Sequence, residues 1–246
     1  MYRQIACLLL AIVGLGAAAA EDVKVKAMLR EADGYRLAME SGRVDTEVRS
    51  FKAGVLDKTR TYVVYLKPGR RSLVLFKSAS ERGQKMLMLG DDYWLIMPTS
   101  QRPLRITAMQ KLLGEASTGD IATMTWADDY DGQQVGVESI DGIACLKLDL
   151  HGQRKGVSYP RIVLYLAKKD HHPVQAELYV ASDKLAKLAR FQLGNVDGRR
   201  QVTVMTLIDH LQKDRTTEVH YLSRTDQTLS DEYFNPAFLV RADVAQ

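Results

Sequence analysis

The sequence predicts a mainly β (α+β) protein, in which a strongly curved antiparallel sheet wraps around two or three short helices. Most apolar segments alternate with a period of two, the turns between them are short, and few segments follow a helical pattern. Short connections favour antiparallel hairpins over crossover helices. The chain has 246 residues, 46% of them hydrophobic and 26% charged. This composition excludes a disordered chain and supports a large core.

The predicted strands are short and rich in Val, Ile, Leu, Tyr and Thr. Residues 174–180 alternate between apolar and polar side chains, which is typical of a sheet with one face in water. Residues 62–66 and 73–76 are apolar on both faces, so we expect them to be covered on both sides or to line an internal cavity. The predicted strands are residues 63–66, 73–76, 86–89, 93–97, 162–166, 174–180, 188–193, 202–208 and 217–222.

The first predicted helix follows Asp22, which can cap its N-terminus, and ends at Gly34. It carries one apolar stripe with i, i+3, i+4, i+7 spacing. The stripe consists of Val25, Met28, Leu29 and Ala32.

A second short helix is predicted in the middle of the chain, and a third capped turn near its end. Thr107 and Gln110 form a capping-box pair, and Gly114 stops the helix that follows. The capped turn spans residues 230–234 and is ended by Pro236.

Residues 1–20 are predicted to be a cleaved secretory signal peptide. Arg3 gives a basic start, residues 5–16 are apolar, and alanines at positions 18–20 form an A-x-A cleavage site. The apolar stretch is shorter than the roughly 20 residues that a membrane-spanning helix needs. We therefore expect a soluble exported protein. Residues 21–246 are predicted to form a single domain, because no repeat, linker or composition shift divides them.

Cleavage would remove Cys7 and leave Cys145 as the one cysteine of the mature chain, so no intramolecular disulfide can form. The alternating pattern around Cys145 places it on one strand face with Lys147 and Asp149. No histidine lies near it in the sequence to activate a thiol, which predicts a packing role.

Enzymatic, metal-binding and nucleic-acid-binding functions lack a supporting pattern. The chain has no nucleophile elbow, zinc-protease motif, P-loop or dinucleotide-binding turn, and no histidines at i, i+4 spacing. The acidic run at 128–131 partly matches a calcium loop, but Ala127 occupies its first position. The net charge is only +4, with bases scattered among acids. We expect no catalysis, no cofactor, no metal and no nucleic acid.

The central part of the chain carries a family resemblance in four separate blocks. These are LMLGDDYWLIMP (87–98), RPLRI (102–106), LLGEASTGDIA (112–122) and DY (129–130). They resemble the outer membrane lipoprotein-sorting protein family, the LolA/LolB-like periplasmic lipoprotein carriers. The resemblance is strongest from about residue 70 to 180, and the strand after Asp141-Gly142 also fits.

This resemblance implies an incomplete antiparallel β-barrel closed by short helices, with an apolar cavity that holds acyl chains. The implied function is a periplasmic carrier or chaperone that binds lipoproteins or other lipids and sorts them toward the outer membrane. Such a carrier would be a monomer that meets an inner-membrane exporter and an outer-membrane acceptor. The alternative is a periplasmic sensor or adaptor of the same fold, which detects lipid or lipoprotein and binds a membrane partner.

Candidate ligand-binding residues are apolar and lie mostly in the segment of strongest resemblance. Methionines suit an adaptable lining, although they can equally fill an irregular core. Trp94 can line the cavity or belong to the core. Arg102 and Arg105 can meet a head group or a partner's acids, or form a solvated turn. The apolar candidates are Leu73, Leu75, Met86, Met88, Trp94, Ile96, Met109, Leu112 and Leu113.

Overall fold

The computed structural model describes residues 10–36, 41–107 and 125–242, which contain three α-helices and thirteen strands. No helix in these three ranges is both long and apolar enough to cross a membrane. The helices are α1 (Leu10–Arg36), α2 (Trp126–Asp129) and α3 (Pro236–Leu239), with 3-10 turns at Ala79–Glu81 and Asp231–Phe234. The strands are β1 (Gly42–Lys52), β2 (Val55–Lys67), β3 (Arg71–Phe76), β4 (Lys85–Leu89), β5 (Asp92–Ile96), β6 (Leu104–Ile106), β7 (Tyr130–Ile140), β8 (Ile143–Gly152), β9 (Arg161–Ala167), β10 (Pro173–Tyr179), β11 (Leu185–Val196), β12 (Arg199–Asp209) and β13 (Arg215–Thr225).

The thirteen strands form one sheet in the order β6-β5-β4-β3-β2-β1-β13-β12-β11-β10-β9-β8-β7. Every neighbouring pair is antiparallel, and all but one are consecutive in the chain. The exception is β1 with β13, whose pairing joins the N-terminal and C-terminal groups of strands. The described sheet is open, with β6 and β7 at its edges, as expected for an incomplete barrel.

The two faces of the sheet are both buried over much of their area, but by different parts of the chain. We call the face that packs against α1 the inner face and the opposite one the outer face. The inner face forms the main core with the apolar stripe of α1. Its strand residues include Val48, Val64, Val74, Met86, Leu148, Leu164, Leu178, Met205 and Val219.

The outer face of β2 to β5 is covered by the C-terminal segment, residues 226–242. Phe234 and Leu239 of this segment pack on Leu73, Leu75 and other residues of that face. The Lys85 ammonium donates hydrogen bonds to the carbonyl oxygens of Leu239 (3.0 Å) and Ala242 (2.7 Å), which holds the end of the segment. Strands that are apolar on both faces are therefore covered on both.

The structure confirms each of the nine listed strands and also, as β8, the strand predicted after Asp141-Gly142 that contains Cys145, and it adds β1, β6 and β7. In β1 the inward positions alternate Val44, Thr46, Val48 and Ser50, a pattern too polar to read as a buried strand. β7 contains Gly132 and Gly136 and only scattered apolar residues, and β6 has three residues.

Helix α1 confirms the predicted apolar stripe, since Val25, Met28, Leu29 and Ala32 are all buried. Its predicted bounds are wrong, because it runs from Leu10 to Arg36 and not from Asp22 to Gly34. The alanine-rich and leucine-rich residues before Asp22 favour helix, so the capping residue does not mark its start. Most of the second predicted helix, from position 108 to Gly114, lies outside the described residues.

Cys145 is buried on the outer face, where it packs with Val163 and Tyr165. The side chain of Lys147, on the same face, lies over the Tyr165 ring at 5.3 Å. The predicted face and packing role of Cys145 are confirmed.

Two glycines of β7 give a matched test of the packing between β7 and β8. A Cβ atom on Gly132 would collide with the Asp149 carbonyl oxygen and lie 2.9 Å from the Leu150 Cα, whereas one on Gly136 would meet nothing within 4 Å. We expect Gly132→Ala to lower the free energy of unfolding by about 1–3 kcal/mol in urea denaturation. Gly136→Ala is the control, and equal losses in the two variants would contradict this close approach.

Candidate ligand-binding site

Helix α1 covers the inner face and is tied by polar contacts to the start of β7. The Lys26 ammonium donates hydrogen bonds to the carbonyl oxygens of Ala127 (2.9 Å) and Tyr130 (2.8 Å) and pairs with the Asp131 carboxylate. Lys26 flanks the apolar stripe of α1, and Ala127 and Tyr130 belong to the same core cluster as that stripe, so the helix is both packed and anchored.

A second contact joins α1 to α2 through a buried carboxylate. The two Asp33 oxygens accept hydrogen bonds from the backbone N–H groups of Trp126 (3.0 Å) and Ala127 (2.9 Å). These are N–H groups of the first turn of α2, which a helix leaves unpaired, so Asp33 caps a helix in another part of the chain. Burial raises the pKa of Asp33 to about 6, although Arg36 and the two N–H groups act in the opposite direction.

Trp126 occupies the centre of this contact. The Arg36 guanidinium carbon lies 4.1 Å from the centroid of its ring, and the Phe191 ring meets it edge-on at 5.6 Å. Trp126 is 1% exposed. The void left among Trp126, Phe191 and the strands below is about 10 Å³, which is room for one water molecule at most. The inner face is thus packed shut beneath the helix.

The other side of α1 contacts the turn between β9 and β10. The Tyr35 hydroxyl donates to the Asp170 carbonyl oxygen (3.2 Å), and the His171 Nδ1 lies 2.7 Å from a Glu31 carboxylate oxygen. Together with Lys26 and Asp33, these contacts hold the C-terminal half of α1 across the inner face.

A larger cavity of about 500 Å³ opens where α1 passes the turn between β2 and β3, and we call it the mouth cavity. Its lining contains four basic and two acidic residues, together with apolar Leu66 and Met88, but the charged ends of Lys67 and Arg71 lie on the outer face beside Asp231. The charged lining residues are Arg30, Lys67, Arg70, Arg71, Asp33 and Asp128.

Arg70 lies in the wall of the mouth cavity, in a turn with a φ of 58°. Its guanidinium pairs with the buried Asp129 and lies 3.5 Å from Asp91. Burial lowers the pKa of Arg70, which nevertheless stays charged because an arginine pKa is so high. Arg154 approaches the same Asp129 carboxylate at 3.6 Å, so two arginines and the carboxylates of Asp129 and Asp91 balance one another at this point.

The structure divides the predicted apolar residues between the two faces of the sheet. Met86 and Met88 are buried on the inner face, and Met88 lines the mouth cavity. Leu73, Leu75 and Ile96 are buried on the outer face beneath the C-terminal segment, and Trp94 packs against the same cluster. The two groups cannot line one cavity, because the sheet separates them. Met109, Leu112 and Leu113 lie outside the described residues.

Arg102 and Arg105 are exposed and lie away from the mouth cavity. Arg105 pairs with Asp92, and the register places it beside Trp94 on the outer face. A head-group role for these two arginines stays a prediction.

The charged residues that line the mouth cavity are not among the site residues predicted from the sequence. The sequence predicts a turn at Lys67-Pro68-Gly69-Arg70-Arg71. Three of these five residues are basic, and this local concentration of charge is the sequence feature that could have indicated a site. Arg30 and Asp33 lie on the first helix outside its apolar stripe, where a charge is normally assigned to solvent.

Comparisons with known proteins agree with this architecture. A LolA superfamily protein from Nitrosomonas europaea is 30% identical, with a TM-score of 0.78, over 85% of this chain and 96% of that one. The chain belongs to the LolA superfamily. A family model described only as an uncharacterized protein matches residues 68–241. No curated protein matches the chain.

Two further solved structures share the LolA superfamily fold at lower identity. A DUF1329 family protein from Desulfovibrio piger is 24% identical, with a TM-score of 0.73, over 89% of this chain and 99% of that one. A putative outer membrane lipoprotein-sorting protein domain from Vibrio parahaemolyticus is 20% identical, with a TM-score of 0.71, over 88% and 98%. The predicted family and fold are therefore confirmed.

Asp33 gives the stability of this LolA superfamily chain a pH dependence of defined sign. Its pKa is about 6 in the folded chain and 3.8 for an ordinary aspartate, so the folded state binds the proton more tightly. The resulting stabilisation is complete below pH 3.8 and is lost as the pH rises through 6, on the order of 3 kcal/mol in all. From pH 4 to pH 7 the natural chain should lose about this amount of its free energy of unfolding relative to Asp33→Asn, which has no carboxyl group to titrate.

Urea denaturation at each pH measures that difference, and Asp226→Asn, at an exposed position, is the control. A difference between the natural chain and Asp33→Asn that stays constant with pH would contradict the raised pKa. A pH-dependent difference of the same size in Asp226→Asn would also contradict it.

Proposed function

We propose that this protein is a periplasmic carrier that binds the acyl chains of lipoproteins or other lipids on its inner face and sorts them toward the outer membrane. The observation that carries the proposal is an extended apolar sheet face in a LolA superfamily fold, which among the described residues is covered by the apolar stripe of α1 and by Trp126 of α2. The similarity to a lipoprotein-sorting protein domain supports it.

Energetics favour an exchange of the helix for acyl chains. Each CH₂ group of a lipid costs about 0.8 kcal/mol to expose to water, so a carrier must offer a matching apolar surface. The inner face offers one, but Val25, Met28, Leu29 and Ala32 occupy it. A lipid chain can enter only if α1 moves away, and its contacts then replace those of the helix.

The polar contacts of α1 suit a cover that opens and closes. Among the described residues they include the ion pair of the exposed Glu31 with His171, and such exposed pairs contribute little to stability in water. The Asp33 contact holds the helix in place but carries the cost of a buried charge. These features make the closed state stable but not permanent.

The carrier would act in the periplasm as a monomer, after cleavage of the predicted signal peptide at residue 20. It would receive its ligand from an inner-membrane exporter and release it to an outer-membrane acceptor. It would form or break no covalent bond.

The alternative is a sensor or adaptor that detects a lipid and binds a membrane partner. One observation favours it. β7 is an edge of the described sheet, and Val135 and Val137 on it are 49% and 58% exposed. An edge with exposed apolar residues is a surface on which another strand can pair.

Lipid analysis of the protein purified from the periplasm separates these two functions. Stoichiometric co-purifying lipid, identified by extraction and mass spectrometry, is the expected result for a carrier. An empty protein held in a stable complex with a membrane protein would favour the adaptor.

Tryptophan fluorescence tests which face binds the acyl chain, since the chain has two tryptophans on opposite faces. Trp94→Phe leaves Trp126 beneath α1 as the reporter, and Trp126→Phe leaves Trp94 on the outer face. We expect a lipid with brominated acyl chains, which quench only on contact, to quench the Trp94→Phe variant strongly. Quenching confined to the Trp126→Phe variant would place the acyl chain on the outer face and contradict the proposed site.

A further inference from the structure

Two neighbouring hairpin tips lie at the end of β2 opposite the mouth cavity. The β1–β2 hairpin turns at Ala53 and Gly54, whose φ angles of 49° and 76° are those that a tight type I′ turn requires. The Ala53 N–H donates a hydrogen bond to the Asp214 carbonyl oxygen (2.8 Å) in the turn between β12 and β13. The two tips are therefore joined to each other.

Both tips stand in solvent. β3 pairs with β2 only over residues 62–67, so residues 55–60 of β2 have no neighbouring strand on that side. Residues 52–59 of the first tip and 210–214 of the second are all exposed. Because the β1–β2 turn is tight, the residues directly after it cannot fold back onto the sheet.

The two tips carry aliphatic side chains in this exposed position. Val55, Leu56 and Leu211 are 70%, 51% and 58% exposed, and we call these three residues the tip patch. Asp57 and Gln212, the residues that follow Leu56 and Leu211, line one small void, so the two tips meet there. Single exposed aliphatic residues are common on proteins, whereas a group of them at one place marks an interaction site.

The charges around the tip patch nearly cancel. Residues 52–58 and 209–215 contain four basic and three acidic side chains. Lys58 lies 3.7 Å from the Asp57 carboxylate, and the Asp209 carboxylate accepts hydrogen bonds from two N–H groups of its own turn, both at 2.7 Å. Among the described residues, no carboxylate pairs with Lys52 or Lys213. Apolar contact would therefore dominate the binding of a partner, and these two lysines can add contacts to anionic groups.

This combination fits a phospholipid surface better than a protein. Protein interfaces are depleted in lysine, and their strongest contacts come from Trp, Tyr and Arg more than from Val and Leu. The tip patch has no aromatic residue and lies among three lysines, Lys52, Lys58 and Lys213. At a lipid surface, a lysine can bury its aliphatic stem and keep its ammonium among the phosphates.

We propose that the two tips dock the protein on a phospholipid membrane surface, with the tip patch inserted among the head groups and Lys52 and Lys213 at the level of the phosphates. The docking does not depend on the proposed carrier function. β2 extends from Val55 at the tip to Lys67 beside the mouth cavity, about 40 Å for a strand of this length, so the cavity stays outside the lipid. Three partly exposed aliphatic side chains give a weak, reversible attachment.

Co-sedimentation with vesicles tests this docking. The protein is mixed with phosphatidylcholine vesicles, with and without phosphatidylglycerol, and the bound fraction is measured against lipid concentration. We expect binding to both, with affinities that differ less than about tenfold because the charges of the tips nearly cancel. The double variant Leu56→Ser/Leu211→Ser should bind at least about tenfold more weakly, because it loses two aliphatic contacts.

Leu222→Ser is the matched control. Leu222 is 61% exposed and lies near the end of β13 that is remote from the tips. An equal loss of binding in this control would overturn the assignment to the tips, as would unchanged binding of the double variant. All three substitutions are at exposed positions, and urea denaturation checks that both variants keep the stability of the natural chain.

The remaining outcomes separate the docking from the carrier function. We expect the double variant to co-purify with as much lipid as the natural chain, since the tips lie away from the inner face. Failure of the natural chain to bind either vesicle would overturn the docking and leave the carrier intact. Binding to native membrane vesicles but not to protein-free vesicles of the same lipids, lost in the double variant, would assign the tips to a membrane protein and overturn the lipid surface. Self-association that the double variant loses, without vesicle binding, would assign them to a second copy and also overturn it.

Discussion

The contact between the apolar stripe of α1 and the inner face is the one on which the rest of the structure depends. The strands of the inner face carry many apolar side chains. Exposing them to water would cost roughly 25 cal/mol per Å² of apolar surface. The sheet is open at β6 and β7 in the described structure, so it cannot hide this face by closing on itself. A helix has to cover it, and the position of that helix sets both the closed core and the opening of the mouth cavity.

Burial on the other side of the sheet has a different character. The outer face of β3 is covered by the C-terminal segment, which is fixed by Lys85 at one end and by the pairing of Asp231 with Lys67 and Arg71 at the other. The same two residues belong to the lining of the mouth cavity, although their charged ends lie on the outer face. The hairpin turn between β2 and β3 thus lies between the C-terminal segment and the mouth cavity. A change in charge at this turn therefore affects both.

Sequence patterns were sufficient for the elements whose signal is local. Strict alternation identified strands such as β10, the i, i+3, i+4, i+7 stripe identified the buried side of α1, and the blocks around Tyr93-Trp94 identified the family. The pattern failed where polar residues face inward, as Thr46 and Ser50 do in β1. It also could not assign faces in β3 to β5, where both sides are apolar, so Leu73 and Met86 appeared equivalent although the sheet separates them. The mouth cavity was beyond local reasoning, because it brings Arg30 of α1 to a turn about forty residues later in the chain.

The closed position of α1 is not maximally stable, and Asp33 shows why. Its buried carboxylate satisfies the first N–H groups of α2, yet burial raises its pKa from 3.8 to about 6, so holding it ionised near neutral pH costs on the order of 3 kcal/mol. In the proposed carrier, that charge would return to water when α1 lifts, and the cost would be recovered. The recovered free energy would offset part of the apolar contact that α1 loses, and acyl chains entering the inner face would replace the remainder. A carrier that must both bind and release its ligand needs such a compensation, because a cover held only by apolar contacts would compete too strongly with the ligand.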